Sequence, residues 1–272
     1  MIANALGAEL YKLSRNTWSL FWAFGFMPVF ALASGLLEQA YTHFTAGDLI
    51  PYASPLWESF SGFATFSVSI FQICGIAGAA IIFAGEYRWE TWRAMLTRND
   101  RLPVMLAKLL TFALAITVSL VLCALARFIV GLVDAALTHD ASWPRADAGG
   151  IALGHLLAFT ATFMQMMVTA SFVMLVSVIT RTMTAGIVAT LLVLFACEIA
   201  SIRGNAGGDP IWVLFPNIAA EGIRQAGRAT MGDPDTLLSA FAMPGAAALV
   251  MWFVLLTTAA LTLFLRQDLS RE

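Results

Sequence analysis

Apolar residues run along this chain in six long blocks, about 18–37, 60–84, 103–133, 151–179, 183–200 and 244–265, separated by shorter polar stretches. The blocks come close to or exceed the ~20 apolar residues that carry an α-helix across a bilayer core. The pattern predicts an all-α integral membrane protein with six transmembrane helices. Pro28 is expected to kink the first span, and Gly75, Gly78 and Ala79 in the second allow close helix packing.

Two amphipathic stretches flank these blocks. In residues 1–16, Ile2, Leu6, Leu10 and Leu13 form one face, with Glu9, Lys12 and Arg15 off it. That spacing predicts a helix lying in the interface plane. In residues 85–102, Trp89, Trp92 and Leu96 recur at i, i+3 and i+7, while Arg88, Glu90, Arg93 and Arg98 fall away from that stripe. The pattern predicts a short helix beside the membrane, a turn at Asn99-Asp100 and a new span opening near Pro103. From 201 to 243 the sequence is neither span nor ordinary loop. Asp209-Pro210 opens one apolar segment, Pro216 interrupts it, and Asp233-Pro234 caps another. Two short helices dipping against the outer leaflet are expected there, with protein contacts satisfying their backbone groups.

Composition removes the soluble classes. Of 272 residues, 60% are hydrophobic and 12% charged, against roughly 25% charged in soluble domains, and mean hydropathy is +0.81. The net charge of −2 gives no basis for a nucleic-acid partner. One membrane domain over residues 1–272 is expected, without a tandem repeat. The first 16 residues lack the basic start and cleavage site of a signal peptide.

The distribution of cations orients the spans. Lys12, Arg15, Arg88, Arg93, Arg98, Arg101, Lys108, Arg181, Arg266 and Arg271 fall on one side; Arg127, Arg145, Arg203, Arg224 and Arg228 fall on or near the other. The richer side is the cytoplasmic one, which places both termini inside.

Chemistry is sparse. No zinc-hydrolase HExxH, nucleophile elbow or Gly-rich phosphate loop is present, so the chain carries no catalytic residues and no ATP site of its own. Cys74, Cys123 and Cys197 lie in apolar blocks without metal spacing and are expected as packing residues. Met164, Met166, Met167 and Met174 are expected as packing rather than a copper site, because no Cys or His cluster accompanies them.

The span polar residues carry two readings. Ser61, Thr65, Thr162 and Thr169 suit bonding to their own helix carbonyls or to neighbouring helices. Gln72, His155 and Gln165 are costly in lipid and are expected inside the bundle, forming with Thr162 and Thr169 a candidate substrate path. Arg127 and Glu198, both towards the outer leaflet, are expected to form a structural ion pair.

The order Glu86, Glu90-Thr91, Leu96-Thr97-Arg98, Arg101 and Ala107-Lys108-Leu109-Leu110 resembles the segment between the second and third spans of ABC-transporter permeases of the type-2 exporter family. Glu90 stands where the usual Gly precedes the Thr, and Asn99 where Pro or Val is frequent. Ala8-Glu9-Leu10-Tyr11-Lys12-Leu13 is similar to the elbow helix that opens many of these permeases. The resemblance implies a type V exporter-like fold in the bacterial inner membrane. It makes 85–102 a coupling helix docked in a cleft of a cytoplasmic ABC ATPase, with Glu86, Arg88, Trp89, Glu90, Thr91, Trp92, Arg93, Leu96, Arg98 and Arg101 as the coupling set. It makes 201–243 an outer hairpin closing the pathway. ATP and Mg would then reside on the partner ATPase, and a second permease chain, identical or sister, would complete the membrane unit.

The few charges among the spans favour an amphipathic or hydrophobic cargo such as a lipid, peptide or drug over small ions. Two alternatives remain at this stage: a non-transporting membrane scaffold or immunity protein using the same basic loop, and an ion-coupled secondary transporter.

Overall fold

A computed structural model describes residues 2–45, 54–67, 69–89, 92, 100–138, 146–207, 210–233 and 239–267. All described regular structure is helical. In chain order the elements are α1 (Ile2–Arg15), α2 (Thr17–Thr45), α3 (Pro55–Ala64), α4 (Ser69–Trp89), α5 (Arg101–Thr138), α6 (Ala148–Thr180), α7 (Met183–Gly207), α8 (Pro216–Thr230) and α9 (Ala242–Arg266). Short 3-10 turns at Thr65–Ser67, Pro210–Leu214 and Ser239–Phe241 join some of them.

Four helices, α2, α5, α6 and α9, are long and apolar enough to cross a bilayer, and α3 with α4 makes a bent fifth candidate. The apolar part of α7, Met183–Ile199, is shorter. The fold is therefore an all-α, multi-pass bundle with four to five apolar spans. The second block departs from expectation. Instead of an extended outer loop at 38–59 followed by one straight span, α2 continues to Thr45 and α3 begins at Pro55. Ser54 caps α3 by accepting from the Leu56 N–H, and Pro55 occupies the first turn, where its missing N–H costs nothing. A 59° bend then separates α3 from α4. The α3 helix is held against α5 by glycine: a Cβ on Gly62 would stand 2.6 Å from the Cys123 carbonyl oxygen, and one on Gly131 2.6 Å from the Pro55 Cα. Only backbones without side chains at those points approach so closely.

The α2 helix contains a π-turn at Phe21–Gly25, just before Pro28. Proline at 28 has no N–H for the Phe24 carbonyl one turn earlier. Ser119 of α5 donates to that carbonyl at 2.6 Å, so the orphaned acceptor is satisfied from outside the helix.

The core runs between α2, α4, α5 and α6, with Met27, Phe66, Ile76, Phe83, Phe112, Ile116 and Met166 fully buried. The α1 helix lies on α5 through Ala5, Glu9 and Leu13, at the spacing of one helical face. Its buried face thus includes a carboxylate. At the opposite end, α8 packs on α6 and α9 through Ala219, Ala220 and Ile223. Cys123 is buried, while Cys74 and Cys197 are half-buried free thiols.

Candidate functional site

Two polar assemblies and a cavity mark the apolar bundle. The first joins α1, α4 and α5. Lys108 is 1% exposed and uses all three ammonium donors: Glu9 Oε2 at 3.0 Å, Glu86 Oε2 at 2.7 Å and the Ile82 carbonyl at 2.8 Å. Lys12 bridges the other oxygens of the same carboxylates, Glu9 Oε1 at 2.8 Å and Glu86 Oε1 at 2.7 Å. Two carboxylates and two ammoniums thus form a closed, charge-balanced ring, which offsets the desolvation of each member. For Lys12, outside the spans, burial works against the charged form, but Glu86 and Glu9 outweigh it and raise its pKa above the ordinary lysine value.

The segment between α4 and α5 is tied down from both sides of this ring. Trp92 is fully buried against Tyr87 and Phe264, with ring centroids 5.3 Å and 4.8 Å away, and Lys108 Nζ lies 5.8 Å from its ring. Arg101, opening α5, donates to the carbonyls of Leu265 at 3.2 Å and Gln267 at 2.6 Å, at the end of α9. Those last-turn carbonyls lack helical partners, so a cation there is favourable. Tyr87 completes the tie by donating to Gln267 Oε1 at 3.0 Å. Of the residues expected to dock a partner, Glu86, Trp92 and Arg101 therefore face inward and hold the segment in place. For Trp92 this corrects the expectation: its large apolar ring gains more in the core than on a wet surface. The Arg88 and Trp89 side chains, and Glu90, Thr91, Arg93, Leu96 and Arg98 entirely, lie outside the described residues.

The second assembly holds α8. Arg224, 3% exposed, donates through Nε to Glu221 at 2.9 Å and through Nη1 to Gln165 Oε1 at 3.1 Å and Thr162 Oγ1 at 3.4 Å. Gln165 in turn donates to Asn217 Oδ1 at 2.9 Å, and Asn217 reaches Glu198 Oε2 at 3.4 Å. Arg224 lies on the apolar face of α8 beside Ile223 and Gly227. The sequence reading placed it merely outside; the signal available was an arginine on an otherwise apolar helix face with Glu221 three residues before it.

Third, a cavity of about 550 Å³ opens between α4, α6, α7, α8 and α9. Phe172, Leu194, Phe215, Trp252 and Leu256 supply apolar wall; Gln72, Thr169, Thr190 and Asn217 are the polar contributors. The five residues expected along a substrate path consequently separate. Gln72 and Thr169 line the cavity, whereas Thr162 and Gln165 anchor α8. His155 is a staple between α6 and α3: Nδ1 meets the Ile151 carbonyl at 2.9 Å and Nε2 meets Ser59 Oγ at 2.6 Å, between the edges of Phe60 and Phe63.

The expected Arg127–Glu198 pair is not formed. Arg127 pairs with Glu58 of α3 at 2.6 Å, an ion pair without hydrogen-bond alignment, and with Glu38 of α2 at 3.5 Å. The helical continuation of α2 and the early start of α3 bring both carboxylates to it, while Glu198 is engaged at α8.

Among the described residues no three His, Cys, Asp or Glu side chains converge as a metal site. No curated protein matches the chain significantly. The sequence profile described as ABC-2 family transporter protein matches residues 5–197, from the buried face of α1 to the cavity wall of α7. That span includes every member of the Glu9, Lys12, Glu86 and Lys108 ring, and by it the chain belongs to the ABC-2 family of membrane transporters.

Proposed function

We propose that this chain is the permease subunit of an ATP-driven exporter. It lies in the bacterial inner membrane with both termini in the cytoplasm and works with a second permease chain, identical or sister. A separate cytoplasmic ABC ATPase binds ATP and Mg and supplies the motion. The six hydrophobic blocks act as six spans, α1 as the elbow, 85–102 as the coupling segment and 201–243 as the outer hairpin. The cargo is amphipathic or hydrophobic.

The observation that carries this reading is the tying of the coupling segment at both ends. Glu86 joins it to α1 and α5 through Lys108, and Arg101 joins it to the end of α9. A force on the segment reaches four helices through charge-assisted hydrogen bonds, which are shorter and stronger than neutral ones. A loop serving only as a topological anchor needs no such bracing. Arg88, Arg93 and Arg98 make this stretch of sequence basic, which suits an acidic partner cleft.

A mild-detergent pull-down of the tagged protein from native membranes, followed by mass spectrometry, tests this. A co-purifying ATPase with a phosphate loop, lost in an Arg93→Glu, Arg98→Glu double variant that still inserts, is the expected result. Recovery of the protein alone, or with partners lacking ATPase motifs, overturns the exporter reading in favour of a scaffold or an ion-coupled carrier.

A further inference from the structure

We infer that the cavity beside Gln72 binds an uncharged, bilayer-dissolved amphiphile that brings its own hydrogen-bond donor, an alcohol or amide N–H. This names a substrate class for the proposed exporter and rests on that reading for its role in transport, though not for binding itself.

Among the described residues the lining contains no charged side chain. A phosphate, carboxylate or ammonium entering it would lose its hydration without a counter-ion, at a cost far above that of a neutral polar group. Headgroup charge is therefore selected against. The neutral polar groups narrow the choice further. Thr169 and Thr190 donate their hydroxyl protons to the Gln165 and Gly186 carbonyls of their own helices. The Asn217 amide is engaged with Gln165 and Glu198. Gln72 Nε2 donates to the Ser67 carbonyl at 3.1 Å, at the break between α3 and α4. That bond fixes the amide's orientation, since a carbonyl oxygen must meet the NH₂ side.

What remains is Gln72 Oε1, a buried acceptor without a partner. Gln72 is wholly buried at the cavity wall, and a native structure leaves few such atoms unsatisfied. Its terminal torsion is broad, so a small turn of the amide plane presents Oε1 to an occupant. The lone pairs of Thr169 and Thr190 are further acceptors. With both hydroxyl protons spent and Gln72 Oε1 unpaired, the lining calls for a ligand that donates.

The entrance sets the source. Val193, Ile211 and Leu214 contribute to the lining and are themselves exposed and apolar, on the faces of α7 and the turn at Pro210–Leu214. An occupant comes sideways through hydrocarbon rather than from water. The volume of about 550 Å³ falls in the range of small-molecule pockets, large enough for one slender acyl chain with a small head.

The test uses the full chain in phosphatidylcholine vesicles and three diazirine-bearing C16 probes: the primary alcohol, the methyl ester and the carboxylic acid. After irradiation, labelled peptides are located by mass spectrometry. The alcohol is expected to label α6, α7 and the 211–217 segment about fivefold more than ester or ionised acid, the worth of one neutral hydrogen bond. Gln72→Leu should remove that preference and leave general apolar labelling. Val193→Trp, which fills the cavity from the lipid side without disturbing the Gln72 bond, should abolish labelling by all three. Equal labelling by alcohol and ester, or an unchanged preference in Gln72→Leu, overturns the assignment. If labelling fails while the ATPase still co-purifies, the cavity assignment falls and the exporter reading stands. If labelling succeeds and no ATPase is found, the outcome is reversed.

Discussion

Replacing Lys108 by Met tests whether the buried ring holds α1, α4 and α5 together. The stem is nearly isosteric, so packing changes little, but three acceptors lose their donor at once: Glu9 Oε2, Glu86 Oε2 and the Ile82 carbonyl. Glu9 and Glu86 are 6% exposed, and the ring passes from balanced charge to one surplus negative. Removing one partner of a buried pair typically costs about 3–5 kcal/mol. Lys12 still reaches both carboxylates, so the lower end, about 3 kcal/mol, is expected. Lys12→Met should cost far less, under about 1 kcal/mol, because its side chain is 48% exposed and water replaces much of what is lost. Adding Glu9→Gln to Lys108→Met restores the balance and should recover at least about 1 kcal/mol. Unfolding free energies from denaturing-detergent titration of the purified chain provide the readout. A Lys108→Met variant within about 0.5 kcal/mol of the parent, or a Lys12→Met variant equally damaged, would refute the ring as the anchor.

Trp92→Ala empties the space between Tyr87 and Phe264 and should destabilise by about 3–5 kcal/mol; size-exclusion profiles should show loss of folded protein, with Arg93→Glu remaining folded. Gly62→Ala puts a methyl 2.6 Å from the Cys123 carbonyl oxygen and should cost about 1–3 kcal/mol, whereas Gly7→Ala meets nothing within 4 Å and should be neutral or better in thermal melts. Ser119→Ala leaves the Phe24 carbonyl without its α5 donor, a loss of about 1–3 kcal/mol measurable by the same titration. The Lys12 pKa is raised on folding, so its contribution is complete below the unfolded lysine value of about 10.4 and is lost as pH rises through the higher folded value. The mobility of a dye on Ser14→Cys should accordingly show no release of α1 attributable to Lys12 until strongly alkaline pH.

Periodicity made α1 legible because its apolar face is regular, and long apolar runs made α5, α6 and α9 legible because nothing breaks them. It located the basic stretch 85–102 but not which members turn inward. Trp92 and Arg101 are committed by α9, more than 150 residues away in the chain. Local spacing carries no information on such a partner. The start of the α3 helix was hidden for a different reason: its Glu58 and Ser59 read as loop, yet Glu58 is paired by Arg127 and Ser59 by His155. Burial of polar residues depends on partners, and only the assembled bundle supplies them. The Arg127 partner was misassigned because sequence distance to two candidate carboxylates says nothing of which helix turns towards it.

The α5 helix binds four of its neighbours by polar contacts spaced along its length. Lys108 ties it to α1 and α4, Ser119 to the π-turn of α2, and Arg127 to α3 and the far end of α2. It has no proline after Pro103 and runs unbroken over 38 residues, about 57 Å. A helix with its hydrogen-bond ladder intact resists bending, and sharp changes of direction concentrate where the ladder is already broken. Those places lie in the flanking elements, at Phe21–Gly25 in α2 and Thr65–Ser67 between α3 and α4. In the exporter proposed above, movement of the 85–102 segment would be carried by a stiff rod to these two joints. At the second joint the Ser67 carbonyl is held by Gln72, the same amide whose oxygen lacks a partner at the cavity wall. Bending there would change the position of the acceptor that an occupant would use, so on that proposal the cavity is linked to the 85–102 segment through α5 and a single glutamine.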